Sequence, residues 1–425
     1  MNILMMTNTY KPILGGLEKS VESFTLEYRR RGHRVIIVAP EFDGAPQEED
    51  VVRVPSIQNV NRTEFAVPIS GLTETMKDFR PDIVHAHHPF LLGATALRVA
   101  YKNAAPLVFT HHILFEQNTH YLPGGDTEAF KRFVIELSTG YANLADQVFA
   151  PSESLAGILR ERGVESPLET VPTGINLALF ESGDRARGRA KWKLPEDAFV
   201  VGHVGRLAPE KNLEFLAEAV ARFLEKQPRA RFLLVGKGPS EETVRAVFEA
   251  RGLTDRLHSA GALSGAALAD AYRAMDVFAF ASQSETQGIV LVEAMASGAP
   301  VVAVDACGVR DVVRDGENGR LLAGQSLESF AQALEWIAGL SPAETAKLGE
   351  GARATARGYA MQRSADKALM LYASCSLRAD IRQVEDTAWA RSMRRMKAEW
   401  DLMKNFTRAT KDAMIGKEEA ASAAP

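Results

Sequence analysis

The sequence predicts an α/β protein built from two doubly wound domains with parallel sheets. Short apolar runs of strand length alternate with amphipathic helical stretches along the chain, a pattern typical of strands joined by crossover helices. The series of runs restarts after the turn-rich segment Val171-Pro172-Thr-Gly174-Ile-Asn176. With 425 residues, the chain has room for two domains of ordinary size and an extension. We therefore expect two Rossmann-like domains facing each other across a cleft, followed by a helical extension.

Each predicted strand is a short apolar run. In the first half the runs are Asn2–Met6, Val35–Ala39, Ile83–His85, Leu107–Thr110 and Val148–Ala150. In the second half they are Val200–His203, Arg231–Val235, Val277–Ala281, Val301–Val304 and Arg320–Leu322. We place the domains at 1–176 and 177–365 and the helical extension at 366–425. Ligands of such sheets bind beyond the carboxyl ends of the strands, so the loops after these runs are the expected location of a site.

Composition narrows the function classes. A hydrophobic content of 46% and a charged content of 24% are those of a soluble globular protein, and a net charge of −4 argues against general nucleic-acid binding. Cys307 and Cys375 lack metal-ligand spacing, and no disulfide framework is expected. The first residues lack a basic segment and a long apolar stretch, so we expect no signal peptide. No segment reaches the roughly 20 apolar residues of a membrane span, and we expect a cytoplasmic protein.

The segment 276–298 predicts a strand, a loop and a helix that together suit an anionic ligand. Gly288 would begin the helix, where backbone N–H groups and the helix dipole favour a phosphate. Glu285 precedes it and Glu293 lies inside the helix, about 80° apart at 3.6 residues per turn, so both can face one cleft. Such carboxylates suit a ligand with phosphates and many hydroxyls, such as a nucleotide sugar. The alternative is an exposed loop glutamate and a helix-surface glutamate.

Two further loops carry residues suited to a diphosphate. Gly15 and Gly16 lie between the first strand and the first helix, where paired glycines let backbone N–H groups approach phosphates. Arg206 and Lys211 follow the first strand of the second domain. Arginine can bind phosphate oxygens in a two-pronged way, and lysine adds a point charge. An ordinary glycine turn and surface basic residues are the alternatives.

The string Glu285-x7-Glu293, followed by Ala-Met-Ala-Ser-Gly-Ala-Pro-Val-Val-Ala, resembles the signature of retaining glycosyltransferases of family 4, which have the GT-B fold. The resemblance implies a nucleoside-diphosphate sugar as co-substrate, with UDP-glucose favoured, and neither a cofactor nor a metal. Glu293 would bind the donor ribose and Glu285 the sugar hydroxyls. The resemblance also assigns the donor phosphates to residues of the loops described above: Gly15, Gly16, Gly205, Arg206, Lys211, Gly288, Ile289 and Val290.

Histidines are concentrated in the first domain. They follow two predicted strands, in His85-Ala-His87-His88 and in Thr110-His111-His112. By the same resemblance, His112 takes the place of the family histidine that contacts the donor sugar near the reacting carbon. A zinc site is an alternative because H-x-H can ligate zinc, although no carboxylate lies at useful spacing. Purely structural histidines are the other alternative.

A narrower resemblance concerns the acceptor. His112-Ile-Leu-Phe115-Glu116-Gln-Asn-Thr-His120-Tyr121, with His-His-Pro-Phe-Leu-Leu-Gly93 before it, resembles the branch that contains diacylglycerol glucosyltransferases. His111 differs from that branch, where an aromatic residue is common. The resemblance implies that Glu116, His120 and Tyr121 lie on the acceptor side and that the acceptor is a membrane lipid such as diacylglycerol. A soluble sugar or metabolite acceptor, a nucleotide-sugar epimerase and a non-catalytic nucleotide-sugar sensor remain as alternatives.

The last 60 residues predict a basic amphipathic helix. Trp389, Met393, Met396, Trp400 and Met403 recur at helical spacing, and residues 389–411 carry seven basic residues against two acidic ones. Such a helix suits an anionic membrane surface, which would place the protein peripherally on the inner face of the cell membrane. A helix that packs on its own protein or on a partner is the alternative. The end, Glu418–Pro425, is expected to be disordered.

Overall fold

The computed structural model describes residues 1–13, 15–57, 67–68, 79–121, 127–381 and 388–422. The chain forms two compact units. Unit 1 contains Met1–Pro172 together with Ser364–Pro425, and unit 2 contains Thr173–Arg363. The C-terminal segment therefore belongs to the same unit as the N-terminal half of the chain.

Unit 1 is built on a seven-stranded parallel sheet in the order β3-β2-β1-β6-β7-β8-β9. Its strands are β1 (Asn2–Met6), β2 (Arg34–Pro40), β3 (Val51–Val54), β6 (Ile83–Ala86), β7 (Leu107–Thr110), β8 (Gln147–Ala150) and β9 (Leu168–Thr170). The short strands β4 (Ser56–Ile57) and β5 (Val67–Pro68) pair antiparallel beside it. The helices are α1 (Gly16–Arg30), α2 (Leu92–Asn103), α3 (Glu128–Ala142) and α4 (Glu153–Glu161), with a 3-10 helix at Phe115–Tyr121.

Unit 2 repeats this architecture with a six-stranded parallel sheet in the order β12-β11-β10-β13-β14-β15. Its strands are β10 (Val200–Val204), β11 (Arg231–Val235), β12 (Leu257–Gly261), β13 (Val277–Phe280), β14 (Val301–Val304) and β15 (Gly319–Leu322). Its helices are α5 (Leu177–Glu181), α6 (Arg185–Lys191), α7 (Leu213–Lys226), α8 (Glu241–Ala250), α9 (Gly265–Ala274), α10 (Ile289–Ala296), α11 (Leu327–Ala338) and α12 (Pro342–Gly358). A 3-10 helix at Pro209–Lys211 precedes α7.

The strands read as unbroken apolar runs because helices cover both faces of each sheet. In unit 2, Val200 and Leu233 belong to one apolar cluster and their neighbours Val201 and Leu234 to a second. Successive residues of a strand point to opposite faces, so a strand covered on both sides needs apolar residues at every position. This is why each predicted run coincides with a strand of the structure. The unpredicted strands of the two parallel sheets, β3, β9 and β12, are edge strands and are less fully buried.

Two long helices form the C-terminal extension, α13 (Met361–Ile381) and α14 (Ala388–Ser422). α14 packs against α2 and α3 of unit 1. It continues to Ser422, past the predicted start of disorder at Glu418, because alanine and glutamate favour the helix. Residues 423–425 lie outside the described part of the chain. Within the described ranges, no helix combines the length and the apolar character needed to cross a membrane.

Candidate functional site

In unit 2, the site residues follow two strands that are neighbours in the sheet although they are distant in sequence. From β10 the chain moves outward through β11 and β12, and it then returns to place β13 on the other side of β10. The strand order thus reverses between β10 and β13. In open α/β sheets a ligand binds in the crevice at this position, beyond the carboxyl ends of the strands. Arg206 and Lys211 follow β10, and Glu285 follows β13.

The structure brings one predicted cation, Lys211, together with one predicted carboxylate, Glu285. The Lys211 ammonium pairs with the Glu285 carboxylate across 74 positions of sequence. The Arg206 guanidinium pairs with Glu210, one helical turn further along the same loop. Glu210 is a residue that the sequence reasoning missed, although its i,i+4 spacing from Arg206 was a signal. Its pKa is lowered, because hydrogen bonding to its own backbone and the charge of Arg206 outweigh the opposing effect of burial.

Polar contacts hold the two loops against each other. Asn212 donates its side-chain amide to the carbonyl of Ala281, at 3.3 Å. The Ser282 hydroxyl donates to the carbonyl of Glu210, also at 3.3 Å. The position of Lys211 beside Glu285 is therefore fixed by the backbone on both sides, which is the kind of preorganisation that a charge-binding site needs.

The loop before α10 has the predicted order of carboxylate, glycine and helix. Gly288 has φ +73° and directly precedes α10, a left-handed conformation that glycine adopts at little cost. Because Glu285 lies in this loop and not in the helix, the 80° rotation predicted between Glu285 and Glu293 does not apply. Buried Gln287 holds this loop in place. Its side-chain oxygen accepts from the Thr173 N–H at 2.8 Å, and its side-chain nitrogen donates to the Thr173 carbonyl at 2.7 Å.

Glu293 is 4% exposed and lies on the second turn of α10. Its carboxylate accepts a hydrogen bond of 2.8 Å from the hydroxyl of Tyr272 on α9. Burial and the adjacent Glu293 charge raise the pKa of Tyr272 well above its usual value, so the hydroxyl remains a donor. Tyr272 was missed by the sequence reasoning, and no local pattern signals it because the contact depends on how α9 packs against α10.

Gly205, predicted to lie near the donor phosphates, is flanked by the buried His203 and by the loop after β11. His203 is fully buried, and burial, with a contribution from the Lys211 charge, lowers its pKa to about 4. A Cβ at Gly236, after β11, would lie 1.9 Å from the Gly205 carbonyl oxygen. The loops after β10 and β11 therefore touch backbone to backbone. The sequence signal was available as Gly236-Lys-Gly238 immediately after a strand.

In unit 1 the strand order reverses between β1 and β6, and the predicted residues follow these strands and β7. Gly15 and Gly16 begin α1 after β1, and His87 and His88 follow β6. Asn8 ties the two loops together: its backbone N–H donates to His88 Nδ1 at 3.1 Å, and its side chain accepts from the Leu92 N–H at 3.0 Å.

Three histidines of unit 1, His85, His87 and His112, form a buried network. His87 Nδ1 and His112 Nε2 share a hydrogen bond of 2.8 Å, and the two rings are stacked. The His85 ring lies 4.2 Å from that of His87 and shares a 2.5 Å hydrogen bond with the hydroxyl of Tyr372. Tyr372 belongs to α13, so the C-terminal extension contacts His85 and, through His87, supports His112, the histidine that the sequence favoured. Its position in the chain, beyond both sheets, gave no hint of this contact.

Burial keeps these histidines neutral. It lowers the pKa of His85, His88 and His111 to about 3, and it lowers those of His87 and His112 well below the ordinary value. Neutral rings can stack and share single protons, as His87 and His112 do. No group of three or more metal-binding side chains occurs among the described residues. The zinc alternative therefore finds no ligand set there, and metal independence stays a prediction.

Acid should destabilise unit 1 through these histidines. Their pKa values are lower in the folded than in the unfolded chain, so unfolding takes up protons below about pH 6.5. Each should reduce the free energy of unfolding by up to about 1.4 kcal/mol per pH unit as the pH falls toward 4. We expect the urea midpoint of the wild-type protein to fall between pH 7 and pH 5. In His111→Phe it should fall less, because that variant has one histidine fewer to take up a proton on unfolding. Phenylalanine should be tolerated there, since neither His111 ring nitrogen bonds to another described residue. An equal fall in both proteins would contradict this.

Of the three residues predicted to lie on the acceptor side, the structure describes the side chain of Glu116. The Glu116 carboxylate pairs with Arg162 at 2.7 Å and is mostly buried. Arg162 was not singled out from the sequence, and it anchors the 3-10 helix to the end of α4. The side chains of His120 and Tyr121 lie outside the described part of the structure, so their acceptor-side role stays a prediction.

Comparison with known proteins identifies the family. The model of "Glycosyltransferase Family 4" matches residues 14–179, and that of "Glycosyl transferases group 1" matches residues 184–355. The alpha-monoglucosyldiacylglycerol synthase of Streptococcus pneumoniae is 27% identical over 335 residues, covering 76% of each chain. The D-inositol 3-phosphate glycosyltransferase of Actinosynnema mirum is 34% identical over 302 residues, which cover 68% of this chain and 72% of the relative.

A solved structure supports the same assignment at the level of the fold. The crystal structure of Anabaena HepE in complex with UDP-glucose has a TM-score of 0.69 at 22% identity, covering 88% of this chain and 100% of that chain. The likeness shows the fold, and the predicted GT-B architecture is confirmed by it and by the two parallel sheets. The chain belongs to glycosyltransferase family 4 and lies near its diacylglycerol glucosyltransferase branch.

Proposed function

We propose that this glycosyltransferase moves glucose from UDP-glucose to a membrane lipid such as diacylglycerol, with retention of configuration and without a metal ion. The observation that carries the donor site is the pairing of Lys211 with Glu285 at the carboxyl ends of β10 and β13, with Arg206 in the same loop as Lys211. Cations and a carboxylate placed together at a switch point suit a ligand that joins a diphosphate to a polyhydroxylated ring.

The ion pairs suggest how the donor enters. Lys211 is paired with Glu285, and Arg206 with Glu210. We propose that the donor diphosphate takes the place of the carboxylates beside the two cations. This exchange releases the Glu285 carboxylate, which then accepts hydrogen bonds from the sugar hydroxyls. The backbone N–H groups of Gly288, Ile289 and Val290 would bind phosphate oxygens at the start of α10, where a helix has unpaired donors.

Chemistry would then proceed at the anomeric carbon. As its bond to the diphosphate breaks, negative charge grows on the leaving group, and Arg206 and Lys211 stabilise that charge more in the transition state than in the ground state. The acceptor hydroxyl attacks from the same face through an oxocarbenium-like ion pair. Its proton passes to an oxygen of the leaving phosphate, so no protein base is needed. In unit 1, His112 is proposed to contact the donor sugar, with His87 and His85 holding its ring.

The names of similar proteins support the glucosyl group and the acceptor that we propose. The Streptococcus pneumoniae relative is named for a glucosyl group on diacylglycerol, and the same branch was indicated by the string around Glu116. The Actinosynnema mirum relative is named for inositol phosphate, which keeps a soluble acceptor as the second candidate. A lipid acceptor lies in a bilayer, so the proposal includes peripheral association with a membrane surface.

Release of nucleoside diphosphate from a panel of UDP- and GDP-sugars, with and without diacylglycerol in anionic vesicles, tests the proposal. We expect strong release from UDP-glucose only when diacylglycerol is present, and an α-linked product by NMR. Release that ignores the lipid would move the search to soluble acceptors. An isomerised free sugar nucleotide would indicate an epimerase, and stoichiometric binding without turnover would indicate a sensor.

A further inference from the structure

The outward face of α14 carries an apolar stripe, defined here as Met393, Met396, Trp400 and Met403. Steps of three, four and three residues place these side chains on one face of the helix. All four are exposed, between 44% and 65%. The sequence alone suggested that such a stripe would either be buried against the protein or meet a membrane. The structure shows that α14 packs on unit 1 and leaves the stripe on the surface.

A different face of α14 makes the contact with unit 1. Ala398, Ala409 and Ala413 are buried there, and small side chains allow two helices to approach closely. Asn405 donates its amide to the Leu137 carbonyl at 3.0 Å, and Gly140 leaves room for it. These contacts fix the rotation of α14 about its own axis. The outward orientation of the stripe is therefore a property of the fold.

The same contacts sort the charges of the helix. Residues 389–411 contain two acidic residues, and both bond to α2. Glu399 receives two hydrogen bonds from Arg98, at 2.6 and 3.0 Å, and Asp401 accepts one from the Tyr101 hydroxyl at 3.0 Å. The other exposed charged side chains described in this segment are all basic: Arg395, Lys397, Lys404, Arg408 and Lys411. Asp412, just past this segment, lies 3.6 Å from Arg408 and offsets its charge. The remaining basic side chains make the surface around the stripe cationic.

Three lysines recur at seven-residue spacing, at positions 397, 404 and 411, and so form a row beside the stripe. This row argues against a second copy of the chain as the occupant, because pairing two such helices would bring like charges together. The stripe also ends where a longer helical seam would continue, since the next two positions are Thr407 and Thr410. A short apolar patch with a cationic border needs an occupant that is apolar inside and anionic at its surface.

We propose that the stripe and lysine row of α14 dock unit 1 on a bilayer that contains anionic phospholipids. Tryptophan and methionine would enter the headgroup region, as in helices that lie in the membrane interface. Lys404 and Lys411 would rest their methylene stems on the same region and keep the ammonium groups beside lipid phosphates. The ammonium of Lys397 lies over the Tyr101 ring of α2, 5.6 Å from its centroid. The proposal adds a partner surface to the proposed function, and it holds whichever acceptor the enzyme uses.

Sedimentation of the full-length protein with vesicles of phosphatidylcholine and phosphatidylglycerol tests the apolar part. The triple variant Met396→Ser, Trp400→Ser, Met403→Ser should bind about 100-fold more weakly, because three large apolar side chains no longer enter the interface. The matched control is Met370→Ser with Leu377→Ser on α13, where both side chains are more than 60% exposed. The control should bind as the wild type does. Point variants are preferred to deletion, since removing α14 would uncover α2 and α3.

A second pair of variants tests the charge. Lys404→Glu with Lys411→Glu should weaken vesicle binding at least about 25-fold, since each basic residue near an anionic surface contributes about fivefold. Lys193→Glu with Lys347→Glu changes the net charge equally on exposed positions of unit 2 and should leave binding unchanged. Wild-type binding should also weaken as salt is raised and as phosphatidylglycerol is removed.

Several outcomes would overturn docking through α14. They are equal binding to vesicles without phosphatidylglycerol, wild-type binding by the stripe variant, or a dimer that the stripe variant dissociates. The thermal unfolding midpoint of each variant reports whether it remains folded. A protein that docks as expected but transfers sugar only to soluble acceptors would keep this inference and overturn the lipid acceptor of the proposed function.

Discussion

Replacement of Arg206 by alanine should lower kcat/KM for the donor about 100-fold or more. This is the scale of losing one preorganised group that stabilises charge on a leaving group. Arg206 is 43% exposed and its described ion pair is with Glu210 in the same loop, so the fold should survive the change. Steady-state kinetics with the preferred donor, together with thermal melting, measure both effects.

Two further variants sharpen that test. Arg206→Lys keeps the charge but loses the two-pronged geometry, and it should recover only part of the activity. Arg229→Ala removes an exposed arginine from the same unit, 3.2 Å from Asp197, and should leave kcat/KM unchanged. Turnover close to wild type in Arg206→Ala would remove Arg206 from the proposed diphosphate site.

Replacement of Glu293 by glutamine should raise the donor KM about 10-fold to 100-fold and change kcat little. A hydrogen bond to a charged group contributes about 1.5–3 kcal/mol, and contacts to the ribose are made equally in the ground and transition states. Glutamine keeps an acceptor for the Tyr272 hydroxyl, so the buried pair is not left unsatisfied. Glu293→Ala should raise KM further.

Tyr272→Phe serves as the positioning control for this site. Phenylalanine fills the same space but no longer holds the Glu293 carboxylate, and the KM should rise less than in Glu293→Gln. An unchanged donor KM in Glu293→Gln would place the ribose elsewhere. A fall in kcat with no change in KM would instead assign Glu293 to the chemical step.

The sequence was sufficient for the central architecture because the central strands are encoded locally. β1, β7, β11 and β14 have the predicted bounds, since a strand covered by helices on both faces must be apolar throughout. The edge strands β3, β9 and β12 were not predicted, because an edge position tolerates polar residues such as Arg53, Glu169 and His258. Their pairing depends on a neighbour supplied by another part of the chain.

The site divides in the same way. The placement of Glu285 and Gly288 in a loop and of Glu293 in the following helix could be predicted from the sequence, because one strand, one turn and one helix place those residues. The residues that bond to these side chains could not be predicted from the sequence. Tyr272 reaches Glu293, and Tyr372 reaches His85, only through the packing of separate helices. The pairing of Lys211 with Glu285 likewise required the strand order that makes β10 and β13 neighbours.

By itself, the sequence determined the strand–helix alternation, the glutamate and basic loops, and the two faces of the C-terminal helix. Tertiary structure decided which face of α14 is buried. Either the apolar stripe or the small-residue face of α14 could pack against the rest of unit 1, and hydrophobicity alone favours burial of the stripe. The small-residue face is the buried one because Asn405 fits against Leu137 and Gly140 of α3 and Glu399 pairs with Arg98 of α2. Periodicity identifies the faces of a helix, and the shape and charge of its neighbour determine which one is buried.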